Sequence, residues 1–274
     1  MKIVNYIFCG ILLIWMLACN KPVYDFTEKE IVIGCGESFD VSYSTKATPV
    51  TSIPSSLYWG ATTGSGSESV KWSAASATVS SSQIHTGKYQ TYSPTSYNFY
   101  VANQSFTPGG NMTVANNGTD IIAGRTAGSS STSPSVTLNH IFARTGTFTC
   151  NTQSGYSISN ISWTITSYGS VTGTAGTFNM ASQSWTSRSA ALSETTVTSS
   201  SDYFLLPGEY TVKVTYTLTL GDYAQTFTKS GRVTLVAGKI NNISCTANGG
   251  SATEIAIGLS LTAWSSTSHA INIS

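Results

Sequence analysis

The segment Tyr210–Leu220 reads YTVKVTYTLTL, and its strict alternation leaves it little freedom in how to fold. Tyr210, Val212, Val214, Tyr216, Leu218 and Leu220 share one face, with Thr or Lys between them, the period of two that marks a half-buried strand. Leu206-Pro207-Gly208 supplies the turn that launches it, and Gly221-Asp222 is a two-residue hairpin signal at its end. A return strand is predicted over 223–229 and another over 232–236. Val136, Leu138, His140 and Phe142 alternate in the same way through 136–150. In 156–166 Tyr156 and Ile158 fall out of phase with Ile161, Trp163 and Ile165, which predicts a bulge near Asn160. The last strand signal runs from Glu254 to Leu261, closed by Trp264. Between these runs lie Ser, Gly and Thr-rich stretches read as connections: 62–69, 74–82, 108–117, 127–135 and 182–201. Many short strands separated by Gly and Pro turns, with no amphipathic helix of useful length, predict an all-β protein of β-sandwiches. The expected division falls near Ser154-Gly155, giving units 19–154 and 155–274 of ordinary domain size.

Composition narrows what such a protein binds. Charged residues make up 9% of the chain and the net charge is +1, too little positive charge to neutralise a row of phosphates, so nucleic acid is not an expected partner. The 40% of hydrophobic and 11% of aromatic residues are enough to build a core despite the polar surface. A surface with few charges is poorly protected against self-association, which is harmless in a subunit that polymerises.

The N-terminus carries an export signature. Met1-Lys2 precedes the apolar run Ile7–Leu17, which ends at Ala18-Cys19. A charged start, a short apolar core and a small residue before a cut site mark residues 1–18 as a signal peptide. The run is shorter than the ~20 residues needed to span a bilayer. The cysteine after Ala18 resembles that of a bacterial lipobox, which implies lipidation at Cys19 and attachment to the outer membrane; the alternative is an ordinary secretory signal. Acyl chains anchor by burying CH₂ groups at ~0.8 kcal/mol each.

Chemistry-bearing residues are scattered. Cys35, Cys150 and Cys245 are far apart and odd in number, so they do not form a disulfide framework, although one pair among them stays open. No CxxC or Cys/His spacing suggests a metal, no G-x-S-x-G elbow appears, and no carboxylate pair suggests glycoside hydrolysis. His140 shares a face with Val136 and Leu138, which predicts a buried, hydrogen-bonded core histidine. The expectation is a protein without cofactor or metal that is not an enzyme.

Four stretches, in order, resemble the fimbrillin family, the lipoprotein precursors of type V pili. They are Ser38–Ala47 (SFDVSYSTKA), Tyr92-Ser93-Pro94 through Tyr97–Ala102, Asp120–Gly124 with Val136–Arg144, and Ala237-Gly238-Lys239 leading to Trp264. The resemblance implies two tandem transthyretin-like β-sandwiches behind a lipoprotein signal. It implies a surface location in a fimbrium and other pilus subunits as partners, with a ligand on a host or bacterial surface as a further one. It also implies proteolytic processing between Lys46 and Ala47, after which a strand from another subunit fills the vacated groove. Phe39, Val41 and Tyr43 alternate with polar residues, as a removable strand-exchange segment requires. Ala270–Ser274, with Ile271 and Ile273 at the same period, reads either as a donor segment or as a closing strand of its own domain.

A second reading is a non-polymerising, glycan-binding surface lipoprotein. Tyr58, Trp59, Trp72, Tyr89, Tyr92, Trp163 and Trp185 are its stacking candidates. Trp59 is expected in the core, and Trp185, within a Ser/Thr-rich stretch, is expected to be the most exposed.

Overall fold

The computed structural model of the chain describes residues 29–37, 50, 52–63, 69–90, 96–115, 118–131, 133–169, 173–198, 203–247 and 255–263. Every regular element among them is a strand. The first series is β1 (Lys29–Glu37), β2 (Ser56–Thr63), β3 (Val70–Ser80), β4 (Gln83–Gln90), β5 (Tyr97–Ala102), β6 (Asn111–Val114), β7 (Ile122–Ser129), β8 (Ser135–His140) and β9 (Ala143–Thr152). The second is β10 (Ser157–Ser167), β11 (Ala175–Asn179), β12 (Ser184–Ala190), β13 (Thr195–Val197), β14 (Phe204–Leu205), β15 (Gly208–Leu220), β16 (Tyr223–Leu235), β17 (Lys239–Ala247) and β18 (Ile255–Ala263).

Most of the alternating segments form strands as expected, but the run through 136–150 is divided at Ile141 and Phe142 into β8 and β9. β15 buries Tyr210, Val212, Val214 and Tyr216 and turns through Gly221, whose φ of 56° suits glycine. It then pairs in unbroken register with β16, from Leu220–Tyr223 to Gly208–Leu235. The return is therefore one long strand rather than two. The predicted bulge is present: Asn160 has φ 51°, and the β10–β15 register shifts between Ser159 and Ser162.

Three stretches expected as connections contain strands instead. Most of 74–82 belongs to β3, 111–114 forms β6, and 182–201 contains β12 and β13. β3 runs along the protein surface with its residues largely exposed or half-buried, held by backbone pairing to β2. Small polar side chains give a strand of this kind no apolar alternation to read.

Seven strands close a barrel in the order β1-β4-β3-β2-β5-β7-β8. Its core joins Leu57, Trp59, Phe99, Val101, Ile122, Val136 and Leu138 to side chains of β1. Two four-stranded sheets, β13-β10-β15-β16 and β14-β9-β17-β18, enclose a second core in which Trp163, Val212 and Val214 meet Phe148, Ile243 and Cys245. β9 precedes residues 154–155 in the chain, and its partners are β17 in parallel and β14. A small sheet, β12-β11-β6, packs over a third cluster of Met112, Phe142, Phe178 and Phe204.

Candidate functional site

The barrel is closed by its most N-terminal strand. In β1, Ile31 and Ile33 are fully buried and Cys35 is buried, while Val32, Gly34 and Gly36 are half-buried. Burying each isoleucine stabilises the closed barrel by about 1.5–3 kcal/mol. The backbone of β1 is divided between two neighbours. Lys29–Gly34 lies antiparallel to β4, with an irregularity between Glu30 and Val32. Gly34–Glu37 lies parallel to β8 against Ser135–Leu138. At the crossover the Gly34 N–H donates to the Pro134 carbonyl at 2.9 Å and the Cys35 N–H to the Ser82 carbonyl at 2.8 Å.

Polar contacts fix the outer end of β1. The Thr86 hydroxyl donates to the Ile31 carbonyl at 2.7 Å, and the Gly87 N–H donates to Glu30 Oε1 at 2.9 Å. His85 Nδ1 lies 3.5 Å from Glu30 Oε2. The Gly87 N–H, with a smaller contribution from His85, holds the Glu30 carboxyl below its ordinary range against a modest desolvation. Burial pushes the Cys35 thiol up to about 11, which suits a small core hydrophobe rather than a nucleophile.

β4 depends on β1. Among the described residues it pairs with β3 at Val79–Ile84 and Ser80–Gln83 alone, so its remaining ladder is the one with β1. The two strands diverge beyond that hairpin, leaving an open concavity of about 760 Å³ lined by Trp59, Trp72, Lys71, His85 and Lys88 among others. Without β1, β4 and β8 would present unpaired edges, with Ile84, Val136 and Leu138 uncovered between them. The arrangement offers strand pairing on both sides of β1, and among the described residues it places no nucleophile beside a base.

The expected lipidation residue Cys19, the strand-exchange residues Phe39, Val41 and Tyr43, and the processing step Lys46-Ala47 lie outside the described residues, as do Tyr92, Trp264 and Ala270–Ser274. Downstream of that step the Val50 N–H donates to Asp120 Oδ2 at 2.9 Å. His140 Nδ1 lies 2.7 Å from the same oxygen, and both side chains are buried. His140 is thus a core histidine, as its strand face predicted. Asn103 braces the pair, donating from Nδ2 to the Asp120 carbonyl at 2.8 Å and accepting the Ile122 N–H at 3.1 Å. Sequence reasoning quoted Asp120 and His140 in one motif without joining them, and it overlooked Ile31 and Ile33, whose alternation with Cys35 was there to find.

Among the described candidates, Trp59, Trp72, Trp163 and Trp185 each pack against other rings. Trp185, expected to be exposed, is half-buried. It packs against Phe142 and Phe178 at centroid distances of 5.4 and 5.5 Å and donates Nε1–H to the Ile141 carbonyl at 3.0 Å. An indole with both a ring surface to cover and an N–H to satisfy is drawn into such a site. Trp59 and Trp163 are buried. Trp72 is tilted 54° to Trp59 and 45° to Tyr97, so these rings share no plane on which sugars could stack. Among the described residues no three His, Cys, Asp or Glu side chains converge on a metal position.

A family model described as fimbrillin-like matches residues 60–264. No curated protein sequence matches the chain. Among solved structures, a candidate cell adhesion protein from Parabacteroides distasonis aligns over 89% of this chain and 99% of its own, with a TM-score of 0.57 at 8% identity, which is a likeness of fold. A second candidate cell adhesion protein from the same organism aligns over 86% of this chain and 99% of its own, with a TM-score of 0.48 at 10% identity. A fimbrial assembly protein, also from Parabacteroides distasonis, covers 85% of this chain and 96% of its own, with a TM-score of 0.41 at 9% identity.

Proposed function

Because the chain belongs to the fimbrillin-like family, we propose that it is a surface-displayed structural or adhesive pilus subunit that polymerises by exchanging β1 for a strand of a neighbouring subunit. One observation carries the reading: the strand that closes the barrel is the first in the described chain and is paired on both sides. A single cut after Lys46 separates β1 from everything it pairs with while leaving β2 to β18 covalently continuous. The edges of β4 and β8 then gain most by accepting a new strand, whose backbone replaces the lost ladder and whose alternate side chains take the places of Ile31, Ile33 and Cys35. The Asp120–His140 pair, holding Val50, keeps the new N-terminal region attached to the barrel.

Lipidation at Cys19 delivers the precursor to the outer membrane, and the cut releases the trimmed subunit for assembly. The activity is mechanical and adhesive rather than enzymatic. Partial digestion with a trypsin-like protease tests the reading. The trimmed chain forms SDS-resistant oligomers, whereas the uncut chain and an uncut Lys46→Gln variant stay monomeric. Equal polymerisation of Lys46→Gln would remove cleavage at this position from the mechanism, and a trimmed chain that stays monomeric would leave a non-polymerising anchor or stalk.

A further inference from the structure

The sandwich holds a cysteine pair that the assembly mechanism does not use. β9 and β17 run parallel at the centre of the sheet β14-β9-β17-β18, and their register places Cys150 directly opposite Cys245. In-register residues of paired strands project to the same face. Here that face is the core, where Cys245 is fully buried and Cys150 packs against the same cluster. Paired strands lie about 4.8 Å apart, inside the roughly 4.4–6.8 Å window of Cα separations that a disulfide spans. Cys35 lies in the other core, among the barrel residues.

We propose that Cys150 and Cys245 form a cross-strand disulfide once the protein reaches an oxidising compartment. The bond joins the two central strands of the sheet beyond the register irregularity between Asn241 and Ile243. It closes a loop containing β10 to β16, and so restricts the unfolded chain. Cys150 is half-buried and Cys245 fully buried, so Cys150 is the thiol an oxidant reaches first. A hydrogen bond from Cys245 holds the Cys150 thiol below its ordinary range, against desolvation, and the same contact, with burial, pushes Cys245 up. Tyr216 of β15 faces the pair, its hydroxyl raised first by burial and then by the two sulfurs.

Cys150 thiolate attacks one sulfur of an oxidant disulfide, forming a mixed disulfide and releasing one thiolate. Cys245 gives up its proton to that thiolate and attacks the Cys150 sulfur, and the second carrier sulfur leaves as a thiolate that takes from solvent the proton Cys150 released on ionising. Two protein thiols lose two electrons in all, and one carrier disulfide becomes two thiols. In the cell a protein dithiol–disulfide carrier fills the role; in the test oxidised glutathione does.

The inference rests on the proposed surface destination only for its oxidant, and two measurements separate the two readings. Purified folded chain is equilibrated with oxidised glutathione, alkylated under denaturing conditions and mapped by mass spectrometry. The expected result is a Cys150–Cys245 cross-linked peptide, loss of two alkylatable thiols with Cys35 still alkylated, and a higher melting temperature that a reductant reverses. The Cys245→Ala variant shows no cross-link and no reductant-dependent melting shift. Alkylation of both cysteines, glutathione left on both, or a cross-link to Cys35 would overturn the proposal wherever the protein resides. Protein recovered from surface fractions is then mapped in the same way. A cross-link there supports the bond, both thiols free there overturns it, and absence of the protein from that fraction counts against the destination while the glutathione result stands.

Discussion

At the residue scale, Asp120 Oδ2 meets both the Val50 N–H and His140 Nδ1, tying the chain that enters the barrel to the β7–β8 step. His140→Ala would open a cavity and withdraw a partner from a buried carboxylate. Stability should fall by about 2–4 kcal/mol in denaturant titrations, with faster amide exchange at Val50. A neighbouring backbone approach is just as demanding. A Cβ at Gly124 would lie 2.1 Å from the Thr137 carbonyl oxygen, and no backbone atom there can yield without breaking the β7–β8 step. Gly124→Ala should cost about 1–3 kcal/mol, read as a lowered denaturant midpoint with an unchanged slope. The burial of His140 was legible from its strand face. Its contact with Asp120 was not, because the nineteen residues between them must fold before the two meet.

At the element scale, β1 decides whether the barrel is closed. Ile33→Ala, which empties a fully buried position, should weaken the uncut precursor by about 2–5 kcal/mol while leaving the stability of the trimmed chain unchanged, because that chain no longer contains the residue. Acid should act on the same strand. The folded-state pKa of Glu30 lies below the ordinary 4.5, so its contacts stabilise the closed barrel above that value. That contribution is lost as pH falls through the folded value. Amide exchange in β1 and at Gly87 should therefore quicken below about pH 4.5, more in wild type than in Glu30→Gln. The strand's alternation was available in the sequence: Ile31, Ile33 and Cys35 share a parity with Phe39, Val41 and Tyr43. Alternation marks a strand but does not say which strands it pairs with, here β4 on one side and β8 on the other. The parallel closure left no local sign, since parallel pairing joins distant segments without a hairpin.

At the scale of the whole molecule, the all-β class was legible because hairpins such as β15–β16 carry both their apolar face and their turn in contiguous sequence. The sheet order was not. β9 joins β17 in parallel, β6 pairs with β11 across the middle of the chain, and the Ser-rich β3 carries no apolar face to announce itself. These long-range pairings interlock most of the described strands after β1, while β1 itself is held by its two ladders, three buried side chains and the polar contacts at Glu30 and Ile31. The central claim is that β1 leaves when the protein polymerises. Its most direct test is mass spectrometry of the SDS-resistant oligomers, reporting the first residue of each subunit and any peptide from Lys29–Glu37. The account predicts subunits that begin at Ala47 and lack that peptide, while the monomeric precursor retains it. Oligomers whose subunits keep Lys29–Glu37 would contradict it.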